Sequence, residues 1–295
     1  MTTLPQHPAT TKAWIEAMRL RTLPVSTAGV LAAWALATHF SCLRWLPACL
    51  CLVFAILCQI VSNFANEYYD YVDGLDRPGR SGPRRGVTEG DISPAAMKVA
   101  TFSLLFIAML IGLWLIYWSG PWLIVVGVAI ALGALAYSAG PYPLSRHGLG
   151  EAAVLFFFGI IPVNFTFYLA TGTWQWRVGL YSVAIGLMAA NVLIVNNYRD
   201  APDDLAVGKR TLANILGRPA VRLLYLLHGL AAAALALVAA AGGNKMWIAP
   251  VIYIPVHIVL WYRLELKPGH DPARLNPLLG LTALLMLLFA LLLFI

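Results

Sequence analysis

Side-chain oxygen donors are scarce in this chain, yet two short runs concentrate them. The first holds Asn66, Glu67, Asp70, Asp73 and Asp76; the second holds Asn196, Asn197, Asp200, Asp203 and Asp204. In each run an Asn precedes an Asp by four positions (Asn66 and Asp70, Asn196 and Asp200), and 130 residues separate the two pairs. That spacing sets both members of a pair on one helix face. Asp204 would extend the second stripe by a turn. Pro202 stands in the way: it has no N–H and disfavours a helical Ala201, so Asp200 and Asp204 could instead straddle a bend. Carboxylates that face one another repel, and protonation or a cation relieves the repulsion. Hard oxygen ligands at one or two carboxylates per ion suit Mg²⁺, whose remaining positions go to water and phosphate. Basic residues follow both runs: Arg77, Arg80, Arg84 and Arg85 after the first, Lys209 and Arg210 after the second. Guanidinium forks and ammonium groups bind phosphate oxygens. Carboxylates for a metal beside cations for phosphate describe a diphosphate site. Two plainer readings stay open: loops of turn-capping Asp and Asn, and basic residues placed by membrane topology alone. The duplication argues against the first.

The elements that must carry these residues are membrane helices. Hydrophobic residues make up 60% of the 295 and charged residues 11%, against about 25% charged in soluble domains. Spanning a bilayer takes roughly 20 apolar residues. Nine segments qualify, at 22–40, 46–66, 96–118, 121–138, 150–170, 178–197, 221–241, 246–262 and 277–295. Lipid cannot satisfy backbone polar groups, so these are helices, and nothing alternates as barrel strands do. The expectation is an all-α polytopic membrane protein, about nine helices bundled around a central cavity. It forms one domain over residues 1–295, with pseudo-repeated halves marked by 62–90 and 191–214. Residues 1–21 lack the apolar core of a signal peptide. Of the four cysteines, Cys42, Cys49, Cys51 and Cys58, the pair Cys49-Leu50-Cys51 hints at a metal site, but no further Cys or His ligands accompany it, and the group reads as helix packing. With the N-terminus inside, 17 of the 20 Lys and Arg fall in cytoplasmic segments, and three (Arg44, Arg177, Lys245) fall outside. The positive-inside bias then sets the N-terminus in the cytoplasm. It also explains much of the +7 charge without nucleic acid. Both acidic runs end spans that run inward, so both are expected at the cytoplasmic mouth.

On these residues the sequence resembles the UbiA-type superfamily of intramembrane prenyltransferases, and within it the branch acting on 1,4-dihydroxy-2-naphthoate in menaquinone biosynthesis. The first motif reads Asn66-x3-Asp70-x3-Gly74-x-Asp76, followed by Gly82-Pro83-x-Arg85. The second reads Asn196-Asn197-x-Arg199-Asp200-x3-Asp204-x3-Gly208-Lys209-x-Thr211-Leu212. Tyr137, Pro141-Tyr142-Pro143-Leu144, His147-Gly148-Leu149-Gly150-Glu151 and the N-terminal Arg19-x-Arg21-Thr22-Leu23-Pro24 fit as well, so the resemblance covers essentially the whole chain. Glu67 stands where Asp is frequent, and Pro202 interrupts the second motif.

The resemblance implies Mg²⁺-dependent transfer of a polyprenyl group from its diphosphate to an aromatic acid, with loss of diphosphate and CO₂. It implies a bacterial-type inner membrane, with the active site facing the cytoplasm. Asn66, Asp70, Asp76, Asp200 and Asp204 become metal ligands. Lys209, Arg85 and Arg210 neutralise charge on the leaving group, which is the main catalytic lever. Asn197 joins the substrate-binding residues. Arg146 and His147 either contact the acceptor or its carboxylate, or serve as a topology-setting Arg and a capping His. Tyr137 leads the aromatic residues (with Phe64, Tyr68, Tyr69 and Tyr198) that could shield a cation-like carbon. Catalysis is expected from Asp70, Asp200, Asp204, Lys209 and Tyr137. Phe156, Phe157 and Phe158 could line a prenyl tunnel, although three consecutive residues cannot all face one cavity. Glu151 suits a helix start or a base. The rivals are a transporter, whose acids usually sit nearer mid-bilayer, and a sibling enzyme acting on 4-hydroxybenzoate.

Overall fold

The computed structural model describes residues 10–40, 42–77, 82–241, 245–265 and 270–295. Arg80 and Lys267, counted above among the inward basic residues, lie outside the described residues. The described chain is helical, and its one β-type contact is an isolated bridge between His147 and Arg210. The helices are α1 (Thr11–Met18), α2 (Leu23–Phe40), α3 (Trp45–Val72), α4 (Pro94–Ser119), α5 (Leu123–Ala136) and α6 (Gly150–Val154). A π-helical stretch, Leu155–Ile160, joins α6 to α7 (Ile161–Thr171). There follow α8 (Trp176–Ala206), α9 (Leu212–Leu216), α10 (Arg218–Ala240), α11 (Ile248–Arg263) and α12 (Asn276–Leu292).

Eight helical stretches among the described residues are long and apolar enough to cross a bilayer. The fourth expected span, 121–138, is the exception. Its helix α5 has 14 residues, about 21 Å at 1.5 Å per residue, against a hydrocarbon core of about 30 Å. Gly120 and Pro121 start it late, and the chain turns at Tyr137 and Ser138, whose N–H groups bond back to Gly133 and Leu135. Eight long helices and one short one therefore stand where nine spans were expected.

Burial sorts the helices into a centre and a rim. Of the most apolar stretch of α8, 72% is buried against neighbours, against 17% for α4. So α8 forms the axis, packed by α2, α7, α10, α12 and the π-helical stretch, while α4 shows a lipid-facing surface of Phe102, Phe106, Leu110 and Trp114. Association inside a bilayer depends on close packing of small residues, and α2 supplies them: Ala28, Ala32, Ala33, Ala35 and Ala37 are all buried. Where the π-helical stretch meets α8, Gly159 faces Gly186, and a methyl at Gly159 would overlap the Gly186 backbone. That pair lets the two backbones touch.

Candidate active site

The first motif forms the last turns of α3. Asp70 is fully buried, and its carbonyl accepts the N–H groups of Leu75 (2.8 Å) and Asp76 (3.2 Å), with Gly74 at φ 68° in the turn. The chain is thereby folded back. Glu67, also fully buried, accepts a hydrogen bond from the Val87 N–H at 3.0 Å and holds the following loop against α3. That anchor brings Arg85 over the motif. Arg85 Nη2 donates to Asn66 Oδ1 at 3.0 Å, and its Nε lies 3.3 Å from Asp76 Oδ2. Arg19 Nη2 donates to the same Asn66 oxygen at 3.0 Å. Arg19 links α1 to α2 with φ 53°, the one non-glycine positive φ among the described residues.

The second motif forms the end of α8, which runs through Pro202 to Ala206 without a break. Asp200 and Asp204 thus stack on one face instead of straddling a bend. Arg199, 1% exposed, forks onto its neighbour: Nε to Asp200 Oδ1 at 2.6 Å and Nη2 to Asp200 Oδ2 at 2.8 Å. The same guanidinium donates to Asn196 Oδ1 (2.8 Å) and to Asn276 Oδ1 at the start of α12 (2.9 Å). A bidentate pair of this kind fixes geometry as well as charge. Beyond α8, the Lys209 N–H bonds to the Asp204 carbonyl at 2.9 Å, which turns the lysine back toward α3. Its Nζ reaches Asp70 Oδ2 at 2.8 Å. This bond joins the two motifs directly.

Both motifs line one chamber of about 1050 Å³, to which Asn66, Asp70, Arg85, Asn196, Asn197, Asp200, Asp204 and Lys209 all contribute. An apolar cavity of about 1030 Å³ adjoins it, and Gln59, Ser62, Tyr137, Val154 and Phe158 belong to both walls. Tyr137 therefore stands at the junction of polar and apolar space. Phe157 and Phe158 line the apolar cavity, whereas Phe156 is 54% exposed on the outer face.

Other sequence candidates fall behind or beside the wall. Asp76 pairs with Arg85 from outside the chamber lining. Arg146 donates to Asp73 Oδ2 (2.6 Å), to Asp70 Oδ1 (3.4 Å) and to the Ser138 carbonyl (3.0 Å). His147 stacks on Tyr142 at 3.7 Å between ring centroids, with Nδ1 2.8 Å from the Pro143 carbonyl. The Arg210 side chain is exposed, and its N–H bonds to the Arg146 carbonyl. Arg19, Arg199, Ser145 and Thr211 were not singled out for the site from sequence. Arg19, Arg199 and Thr211 lay within the matched motifs, so a signal existed, whereas no local pattern announced Ser145. The buried hydroxyls of Ser145 and Thr211 line the chamber without hydrogen-bond partners among the described residues.

The donor set suits a hard divalent ion: carboxylate and amide oxygens from two helices, with neither sulfur nor imidazole in the wall. Among the described residues no three acidic, His or Cys side chains converge on one point. An ion held here would complete its shell with water and substrate oxygens, as Mg²⁺ commonly does.

Fold and chamber define an integral membrane protein with a charged pocket opening into an apolar one. The family profile described as the UbiA prenyltransferase family matches residues 23–289, and the chain belongs to that family of prenyltransferases. It is 36% identical over 279 residues to a 1,4-dihydroxy-2-naphthoate octaprenyltransferase of Mycobacterium tuberculosis, covering 94% of each chain. A protein of the same name from Haemophilus influenzae is 32% identical over 289 residues, covering 94% of this chain and 92% of its own. Among solved structures, a UbiA homolog from Aeropyrum pernix superposes with a TM-score of 0.69 at 18% identity, over 91% of this chain and 94% of that one. A UbiA homolog from Archaeoglobus fulgidus bound to GPP and Mg²⁺ gives 0.66 at 14% identity, over 96% and 99%. These structural likenesses concern the fold.

Proposed function

We propose that the protein transfers a polyprenyl group from polyprenyl diphosphate to 1,4-dihydroxy-2-naphthoate, releasing diphosphate and CO₂ and giving demethylmenaquinol. One observation carries the reading: a chamber walled by carboxylates and cations opens, across Tyr137, into an apolar cavity of similar size. That shape matches an amphiphile with a diphosphate head and an isoprenoid tail. The choice of a naphthoate acceptor rests on the relatives named above. Asn66, Asp70, Asp200 and Asp204 are the residues that would hold Mg²⁺, with Asp76 behind them. Bound there, the ion would offset the negative charge of the diphosphate.

The remaining work falls to the chain itself. Lys209 and Arg85 carry positive charge into the chamber where the leaving group gathers negative charge. Such preorganised stabilisation is usually the largest catalytic contribution. As the C–O bond breaks, the allylic carbon becomes cation-like at the junction, beside Tyr137, where an aromatic face stabilises positive charge. The apolar walls keep water from capturing that carbon. Asn197 lines the chamber with its amide nitrogen held by Glu151 at 2.8 Å, and stands with Ser145 and Thr211 to bind polar groups of the acceptor. Arg210 and His147, bridged to each other outside the chamber lining, would act on substrate only from beside the wall, while Arg146 steadies Asp70. The basic-residue bias orients the mouth toward the cytoplasm of a bacterial-type inner membrane.

The test supplies purified protein with a polyprenyl diphosphate, Mg²⁺ and a panel of aromatic acids. Dihydroxynaphthoate is expected to be prenylated with release of CO₂. Prenylation of 4-hydroxybenzoate alone would transfer the assignment to the sibling activity.

A further inference from the structure

Pro202 lies inside α8, four residues after Tyr198. A proline has no N–H, so the helical bond to the Tyr198 carbonyl cannot form. A buried carbonyl deprived of its donor is costly and must find another. Arg218 provides one: its Nε donates to the Tyr198 carbonyl at 3.1 Å. The guanidinium also lies over the Tyr198 ring, 5.2 Å from its centroid. Arg218 is the first residue of α10 and follows Gly217, whose φ of 82° turns the chain back toward α8. It is not part of the chamber lining.

The turn that Arg218 braces is the one that carries the site. Asp200 and Asp204 flank Pro202, and the Asp204 carbonyl receives the Lys209 N–H at 2.9 Å. Lys209 Nζ then reaches Asp70 at 2.8 Å. An unbraced last turn would loosen Asp204, Lys209 and the joint between the motifs together.

We propose that Arg218 is a positioning residue: it supplies the donor that Pro202 lacks, and so keeps the last turn of α8 helical with Asp204 and Lys209 set toward Asp70. The inference rests on the reading of Asp204 and Lys209 as part of the diphosphate site. Its signature is epistasis. In a Pro202→Ala background the new backbone N–H can close the helical bond, and Arg218 becomes dispensable.

The experiment compares wild type, Arg218→Leu, Pro202→Ala and the double variant, with Asp204→Asn alongside. Each purified protein is assayed for prenyl transfer across Mg²⁺ and prenyl diphosphate concentrations, and its melting temperature is recorded. Arg218→Leu is expected to lower kcat/KM about tenfold, the worth of one backbone hydrogen bond, and to raise the Mg²⁺ requirement. The double variant is expected to recover to within about threefold of wild type, less than the factor of ten that one such bond is worth. Arg218→Gln, which keeps an N–H donor, should recover part of the loss even if the leucine variant proves too unstable to purify. The same loss from Arg218→Leu with and without Pro202 would overturn the inference, as would a wild-type rate in the single variant. Asp204→Asn at full rate would instead reject the site reading itself.

Discussion

Asp70 and Asp200, two of the three buried carboxylates that line the chamber, are held differently. Asp70 is reached by Lys209 and Arg146 from two separate loops, whereas Asp200 is gripped by the adjacent Arg199. Asp70→Asn keeps the shape but removes the charge proposed to organise metal and diphosphate. It is expected to lower kcat by about 10²–10³-fold, the range for losing one preorganised electrostatic contact, in an initial-rate assay on protein that still inserts. Activity at the wild-type level would remove Asp70 from the chemistry. Arg199→Leu should act on stability first. It leaves Asp200 buried without its fork, and breaking a buried pair on one side costs about 3–5 kcal/mol. Thermal unfolding in detergent should show a large drop, and an unchanged transition would mean that Arg199 is not holding Asp200.

At the scale of elements, the π-helical stretch and α8 share a backbone contact that only glycine permits. Gly159 and Gly186 face each other there, and Phe157 and Phe158 project from the same stretch into the apolar cavity. A π turn is a common device at functional sites because it re-aims side chains that a regular helix would turn away. Gly159→Ala would push the stretch off α8 at an overpacking cost of about 1–3 kcal/mol and shift both aromatic rings. A lowered melting temperature with a raised KM for long prenyl diphosphates is the expected result. Wild-type values for both would show that the cavity wall tolerates the shift.

For the molecule as a whole, the fold is expected to stand without the proposed metal. The chamber carboxylates Asp70 and Asp200 already have buried protein partners, so the bundle does not depend on an ion to offset them. Chelation of divalent cations should therefore stop turnover while the melting temperature stays near that of untreated protein, and added Mg²⁺ should restore the rate. Unfolding on chelation would make the ion structural, and undiminished turnover would remove it from the mechanism.

Much of this protein was legible along the chain. Hydropathy marked the helices, and the four-residue spacing of Asn66 with Asp70 and of Asn196 with Asp200 put each pair on one helix face. Both are local properties, set by the 1.5 Å rise and the 3.6-residue turn. Helix α5 came out shorter than its apolar stretch, 14 residues, because composition reports apolarity and not the places where the chain breaks. The effect of Pro202 was undecidable from sequence, since the compensating donor, Arg218, comes from the next long helix. Likewise the reach of Lys209 to Asp70 crosses 139 residues, and the junction at Tyr137 requires α3, α5 and the α6–α7 region to pack around shared space. The chain by itself determined which groups exist and which helix faces bear them. Tertiary packing decided which of those faces share a cavity, because the distance between two helices depends on the small residues that let their backbones approach and on no property of either helix alone.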